Sequence, residues 1–181
     1  MSKSQPHTRL RHTLLVCACV ALPLSHAGAQ TPAGTVPVSM QAAAPILASG
    51  QLLYLPIYSH IYHGDTDKSG KPLQTLLSAH VSVRNSDPRV AIKVLYARYY
   101  DTDGKLLRDY VGTAPVSVPP LGTYEIFVPR GDTAGGSGAN FLISWQAETP
   151  ANPPLVEALH SDIAPARTIT FLTTARPIQP R

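Results

Sequence analysis

Apolar and polar residues alternate along much of the chain, with the period of two that is typical of half-buried β-strands. Near the start of this pattern, Leu53, Leu55 and Ile57 share one face of an extended segment. Tyr54 and Tyr58 share the other face. Short runs of this kind, separated by Gly, Pro, Asn and Asp, predict an all-β protein.

Further strands are predicted about ten residues apart. Residues 77–84 alternate cleanly and end at the turn-forming sequence Asn-Ser-Asp-Pro. Residues 90–100 and 106–111 flank Asp-Thr-Asp-Gly, which predicts a hairpin. Later strands are predicted at 116–118, 124–128, 141–145, 156–159 and 169–173. This pattern, with no long amphipathic helix, predicts a single antiparallel β-sandwich of immunoglobulin-like kind, and a small β-barrel is the alternative.

The first 29 residues differ in character from the rest and predict a signal peptide. Lys3, Arg9 and Arg11 precede an uncharged apolar run that ends before the small residues Ala27-Gly28-Ala29. The run is about 12 residues long, whereas a membrane-spanning helix needs roughly 20. We therefore expect cleavage near Ala29, a periplasmic or secreted mature protein and no transmembrane segment in it.

The cysteines bear on how the protein is held after export. Cys17 and Cys19 both lie inside the apolar run and would be removed with it, which excludes cysteine chemistry from the mature chain. A lipid anchor on Cys19 is the alternative. The sequence around Cys19 does not form a good lipid-attachment box.

Charge and composition divide the remaining chain and limit its partners. Removal of three basic residues leaves 12 basic and 11 acidic ones, a net charge of +1. No basic groove is expected, so nucleic acid is not a predicted partner. Residues 30–50 are uncharged and rich in Pro, Ala and Thr, and are predicted to be a flexible leader. Residues 51–174 are predicted to form the sandwich and 175–181 a tail.

Two histidines three residues apart, His60 and His63, raise the possibility of a metal site. In a straight strand they point to opposite faces and lie about 10 Å apart, too far to share an ion. A turn at His63-Gly64 would bring His63, Asp65 and Asp67 together, with His80 as a further donor from the next strand. His60, His63 and Asp65 are therefore candidate ligands for Zn or Cu. The alternatives are imidazoles that hydrogen-bond within the fold and a His-Asp pair for general acid–base chemistry.

A glycine-rich segment, residues 131–140, is the second candidate. Its glycines would let backbone N–H groups converge on an anion. It lacks the Lys and the Ser/Thr of a phosphate-binding loop, and an inter-strand connection capped by Asp132 or Asn140 explains the same residues. The candidate ligand-binding residues on both segments are Tyr58, His60, Tyr62, His63, Asp65, Asp132, Ser137 and Asn140.

Several longer strings resemble a known family. "YLPIYSHIYHGD", "VSVRNSDP", "YYDTDGKLLRDY", "DTAGGSGANFLISWQA" and "NPPLVEA" are similar to the bacterial secreted and lipoprotein family of domain of unknown function 3124. The resemblance covers roughly residues 51–174. It implies that residues 59–65 and 132–141 are recurrent family features, and it supplies no activity or catalytic role.

These observations predict a non-enzymatic binding or accessory module of the cell envelope, because polar, turn-prone residues concentrate in two segments without a complete catalytic set. Its partner would be an envelope protein or a small ligand, and no cofactor is expected. The alternative is a transition-metal-binding protein or metalloenzyme that uses a His/Asp site.

Overall fold

The computed structural model describes residues 46–179, which form twelve β-strands and, within that range, no helix. The predicted signal peptide, both cysteines and most of the predicted leader lie outside the described residues. The strands are β1 (Ala48–Pro56), β2 (His60–Thr66), β3 (Pro72–Leu76), β4 (Ser78–Arg84), β5 (Ile92–Tyr100), β6 (Leu106–Asp109), β7 (Val116–Val118), β8 (Thr123–Val128), β9 (Asn140–Ala151), β10 (Leu155–Ala164), β11 (Arg167–Thr174) and β12 (Arg176–Ile178).

The strands form three antiparallel sheets. A six-stranded sheet has the order β12-β1-β9-β5-β6, with β7 also paired to β5. A four-stranded sheet has the order β11-β10-β4-β8, and β2 and β3 make a separate two-stranded sheet. The two larger sheets pack face to face, and each contributes inward-facing residues to one apolar core.

The core follows from the alternation seen in the sequence. Leu55 in β1, Val81 in β4 and Ile143 in β9 are fully buried, and the intervening residues face outward. Trp145 also lies at an inward position and is 1% exposed. The predicted antiparallel β-sandwich is confirmed, and no sheet closes into a barrel within residues 46–179.

At two places the chain crosses from one large sheet to the other, as it does in immunoglobulin-like sandwiches. Strands β4 and β5 lie in opposite sheets, as do β8 and β9. The next strand, β10, returns to the sheet of β4 and pairs with it directly. On the side of β9 away from β5 lies β1, which pairs with β9 over almost the whole length of β1.

Three details differ from the sequence prediction. Strand β1 begins at Ala48, inside the predicted leader, and the predicted tail contains β12. Strand β3 was not predicted, because Pro72 and the two polar residues that follow Leu73 hide its alternation. Between β7 and β8, which belong to different sheets, the chain reverses at Pro119–Gly122.

The predicted hairpin between β5 and β6 is confirmed, and its turn is built like the one between β2 and β3. Asp101 Oδ1 accepts hydrogen bonds from the backbone N–H groups of Asp103 and Lys105 at 3.0 and 2.8 Å. Asp67 Oδ1 does the same for Ser69 and Lys71 at 2.8 and 2.9 Å. A glycine with φ near +80° follows in both turns, so the shared Asp-x-x-Gly-Lys letters encode one turn geometry.

Asn85 and Asp87 hold three loops together at one end of the sandwich. The Asn85 side-chain amide donates to the carbonyls of Val90, Val118 and Pro119 at 2.9, 3.2 and 3.0 Å. Asp87 accepts from the backbone N–H of Arg89, Val90 and Asn152, and these hydrogen bonds, that from Asn152 foremost, lower its pKa. The turn sequence Asn-Ser-Asp-Pro is therefore a structural joint between the loops that follow β4, β7 and β9.

Replacing Asn85 by Ala should lower the free energy of unfolding by about 1–3 kcal/mol, because buried carbonyl groups lose their donor. Chemical denaturation measures this change. Ser86→Ala, which removes one exposed bond to the Pro153 carbonyl, is the matched control and should cost less than about 1 kcal/mol. Equal losses in the two variants would contradict the role assigned to Asn85.

Candidate functional site

The segment between β1 and β2, Ile57–Ser59, is anchored by three consecutive backbone N–H groups. Ile57 N–H donates to the Ala139 carbonyl at 2.8 Å and Ser59 N–H to the Gly136 carbonyl at 2.9 Å. Between them, Tyr58 N–H donates to His160 Nε2 at 3.1 Å. We call Ile57–Ser59 the junction, because it joins the sandwich to the two-stranded sheet.

The alternation of a β-strand explains why these donors point in two directions. The N–H groups of Ile57 and Ser59 face the glycine-rich loop that leads into β9, whereas that of Tyr58 faces the opposite edge. On that edge β12 pairs with β1 only at Leu52–Tyr54. Beyond Tyr54, side chains of the four-stranded sheet supply the hydrogen bonds instead: Thr173 Oγ1 donates to the Pro56 carbonyl at 2.7 Å, and His160 Nε2 accepts from the Tyr58 N–H.

His160 is the buried centre of this arrangement. It lies at an inward position of β10 and is fully buried. Its ring stacks on Phe171 at a centroid distance of 4.7 Å, and the Tyr58 ring meets it edge-on at 5.7 Å. Burial lowers its pKa to about 4, although the backbone groups of Ala158 and Phe171 partly oppose that effect. The ring is therefore neutral at pH 7.

A buried pair of hydroxyl groups holds the junction on its other side. Ser59 Oγ and Tyr99 Oη share a hydrogen bond of 3.0 Å, and both side chains are 1% exposed. Burial raises the pKa of Tyr99, so the phenol remains a neutral hydrogen-bonding group. Gly135 lies directly over this phenol, where a Cβ atom would overlap the hydroxyl and come within 2.7 Å of Tyr99 Cζ.

The glycine-rich loop is fixed in place by Thr102. The Thr102 backbone N–H and Oγ1 both donate to the Gly135 carbonyl at 3.0 Å, and Gly138 N–H donates to Thr102 Oγ1 at 3.0 Å. Gly136 has a φ of +75°. The glycines thus permit close approach to neighbouring side chains, and the interpretation as an inter-strand connection is the one that the geometry supports.

Asp132, one of the predicted residues in this loop, caps the loop backbone and affects the pKa of two tyrosines. Its Oδ1 accepts from Ala134 N–H at 3.3 Å, as predicted for a cap. Burial is the larger cause of the raised pKa of Tyr99 and of Tyr110, and the Asp132 carboxylate raises both further. Ser137 lies half-buried in the loop, and Asn140 is the first residue of β9, opposite Pro56.

Of the other predicted residues, Tyr58 lies in the junction and the rest lie on the β2–β3 hairpin. The His60 ring packs edge-on against Tyr62 at 4.9 Å, whereas His63 Nε2 shares a 2.9 Å hydrogen bond with Thr75 Oγ1. Strand β2 continues through Gly64 and Asp65 to Thr66, with a register shift after His63. The turn at His63-Gly64 on which a shared metal site would depend does not occur: Gly64, at φ +65°, makes a bulge, and the chain reverses at Asp67–Gly70.

This geometry separates the candidate metal ligands. His60 and His63 point to opposite faces of β2, and Asp65 is exposed beyond the bulge. His80 is on the outer face of the four-stranded sheet, where its Nε2 lies 3.3 Å from a Glu125 carboxylate oxygen. Among residues 46–179, no three His, Cys, Asp or Glu side chains are grouped closely enough to hold a metal ion.

The tyrosines do not form a continuous strip on the outer surface. Tyr99 is in the core and stacks on Phe141 at 5.0 Å, and Tyr58 is half-buried against His160 and Phe171. Tyr62 is 52% exposed on the hairpin. Four residues that hold the junction were not predicted from the sequence: His160, Tyr99, Ser59 and Thr173. The inward alternation of Val156, Ala158, His160 and Asp162 could have placed His160 in the core.

A separate groove lies on the outer face of the six-stranded sheet. Its volume is about 490 Å³, and Leu52, Leu95, Tyr96, Ser144 and Ile178 are among the residues that line it. It contains none of the candidate residues. Within the described range, no helix is long and apolar enough to cross a membrane.

Comparison with known proteins gives a family and little else. A family model described as "Protein of unknown function (DUF3124)" matches residues 50–178. No curated protein matches significantly. A solved structure titled "Crystal Structure of Thermotoga maritima 1070" is similar with a TM-score of 0.37 and 9% identity, covering 70% of this chain and 92% of that one.

The fit of the glycine-rich loop over Tyr99 can be tested by adding one methyl group. Gly135→Ala should lower the free energy of unfolding by about 1–3 kcal/mol, because the loop must move away from the Tyr99 phenol. Gly131→Ala is the matched control, since a Cβ there meets nothing within 4 Å, and it should change stability by less than about 0.5 kcal/mol. Thermal and urea melts measure both, and a neutral Gly135→Ala would refute the packing described.

Proposed function

Since the chain belongs to the DUF3124 family of proteins of unknown function, which lends it no activity, we propose its function from the site: a non-enzymatic binding module of the cell envelope that recognises its partner through the β2–β3 hairpin. The observation that carries this proposal is that the hairpin takes no part in the core. No residue of β2 or β3 belongs to the core cluster of the described chain or to the partly buried apolar residues around it.

The exposed residues of the hairpin are suited to recognition. Tyr62 and Leu73 are 52% and 53% exposed; Leu73 lies beside the exposed His63 on one face of the hairpin, and Tyr62 lies on the other face. Tyrosine is enriched at protein interfaces because it offers a large apolar ring and a polar tip. The matching partner is an envelope protein or a small ligand that offers an apolar surface to the ring and hydrogen-bonding groups to the polar tip.

The hairpin is also held firmly at its base. Leu77 N–H, just after β3, donates to the Ser59 carbonyl, just before β2, at 2.9 Å. Ser59 in turn is bound to Gly136 and Tyr99. A binding element with a fixed base loses less conformational freedom when its partner binds, which favours affinity.

Export is part of the proposal and rests on the sequence. The basic residues, apolar run and Ala-Gly-Ala of residues 1–29 favour a signal peptide and a periplasmic or secreted protein, and a lipid anchor on Cys19 is the alternative. Transition-metal binding through His60, His63 and Asp65 would require the end of β2 to rearrange, because the two imidazoles point to opposite faces.

Capture from an envelope extract tests the binding role. The purified protein, immobilised, should retain its partner, and the double variant Tyr62→Ala with His63→Ala should retain at least roughly tenfold less, as expected when interface anchors are truncated. Quantitative mass spectrometry of the bound fraction measures the difference.

The matched control removes the same kinds of side chain from another exposed surface. Phe127 and His80 are neighbours on the outer face of the four-stranded sheet, with Phe127 60% exposed. The double variant Phe127→Ala with His80→Ala should capture as the wild type does. Binding lost only in this control, or unchanged in the hairpin variant, would contradict the assignment.

A further inference from the structure

We propose that His160 is an acid-sensitive latch: its unprotonated Nε2 holds the Tyr58 N–H and with it the base of the β2–β3 hairpin, and protonation of the ring releases the hairpin from the sandwich. This inference concerns regulation of the binding element and rests on the proposed function for its biological meaning. The latch itself can be tested without any ligand.

The latch depends on which nitrogen accepts. An imidazole nitrogen accepts a hydrogen bond only when it carries no proton, so the neutral ring in this position carries its proton on Nδ1. Protonation places a second N–H on Nε2, opposite the Tyr58 N–H at a heavy-atom distance of 3.1 Å. Two donors then face each other, and the contact becomes repulsive.

The surroundings compensate only in part for a charge on the ring, because burial outweighs the backbone groups of Ala158 and Phe171 that favour the charged form. Nδ1 has no hydrogen-bond partner within the described residues. The strands beside β10 present Phe171 and Ala79 opposite His160, and neither is ionisable. From the junction, the Tyr58 ring meets the His160 ring edge-on.

The acidic residue on the same inward face of β10 is already ion-paired. Asp162, two residues further along the strand, is 4% exposed. Its carboxylate is held by Arg130 Nε at 3.1 Å and Arg167 Nη2 at 3.0 Å. Both carboxylate oxygens are therefore engaged by arginines and do not pair with a charge on His160.

The position of the latch determines what it releases. Tyr58 is the middle residue of the junction, and on the edge of β1 that β12 leaves open it is held by His160 alone among the hydrogen bonds of the described residues. Loss of this bond loosens the junction, and no residue of β2 or β3 belongs to the apolar core cluster. The hairpin then keeps the buried Thr75 and the hydrogen bond from Arg130 Nε to the Leu76 carbonyl at 3.4 Å. The sandwich, with its apolar core, should stay folded.

The size of the effect follows from linkage. A ring that is protonated near pH 4 when closed and near 6.5 when open favours the open state progressively as the pH falls from 6.5 to 4. Between pH 7.5 and pH 5 the opening equilibrium constant should rise about 30-fold.

Hydrogen exchange of backbone amides in the full protein tests the latch. After correction for the intrinsic pH dependence of exchange, protection of the β2–β3 amides should fall about 30-fold between pH 7.5 and pH 5. Protection in β4, β5 and β9 should not change. Uniform loss across all of these strands, or no loss in β2–β3, would overturn the proposal, and this readout needs only the wild-type protein.

Two variants identify the group responsible. His160→Gln keeps an acceptor for Tyr58 N–H but cannot titrate, so hairpin protection should become independent of pH. His80→Gln, the matched control, removes an imidazole from the outer face of the four-stranded sheet and should behave as the wild type does. A pH dependence that survives His160→Gln, or disappears in His80→Gln, would refute the latch. Because no partner is involved, failure here is distinct from failure of the capture experiment.

Discussion

The hydrogen bond from Tyr58 N–H to His160 Nε2 is the contact on which the functional end of the molecule depends. A strand that outruns its neighbour leaves backbone donors and acceptors without partners, and burying them unpaired is costly. Strand β1 meets this problem where β12 stops pairing at Tyr54. The opposite sheet solves it with side chains, His160 and Thr173, and so the junction is tied to both layers of the sandwich.

This solution gives the two ends of the core different chemistry. Along most of its length the interior is apolar, and alternation alone accounts for it. Near the junction the buried residues are Ser59, Tyr99, His160 and Asp162, and each has a named partner. A polar interior of this kind is stable only while its hydrogen bonds are complete, which makes it sensitive to one added methyl group or one added proton. The hairpin that it holds carries the exposed Tyr62 and His63, so structural sensitivity and proposed recognition meet at the same place.

The sequence was a good guide wherever one local rule decided the outcome. Alternation predicted β4, β5 and the inward Trp145, and Asp-Thr-Asp-Gly predicted the β5–β6 turn. It failed where partners are distant in the chain. Tyr58 and His160 are 102 residues apart, and nothing in the local pattern of either indicates the bond between them. Strand β2 also ran past the expected turn, because Gly64 bulges within the strand while Asp67 organises the reversal. Alternation in the sequence therefore predicted the strands of the two large sheets, whereas the long-range contacts of the junction are visible only in the structure.

The glycine-rich loop shows how one segment can satisfy two interpretations at the level of sequence. Its glycines suit an anion-binding nest, yet their observed role is to let the loop approach Tyr99 and Thr102 closely.

The central claim is the acceptor role of His160, and the tautomer of its ring tests that claim most directly. Long-range ¹H–¹⁵N correlation NMR at neutral pH should show a proton on Nδ1 and a bare Nε2. A proton on Nε2 would contradict the account, because that nitrogen could not then accept from Tyr58.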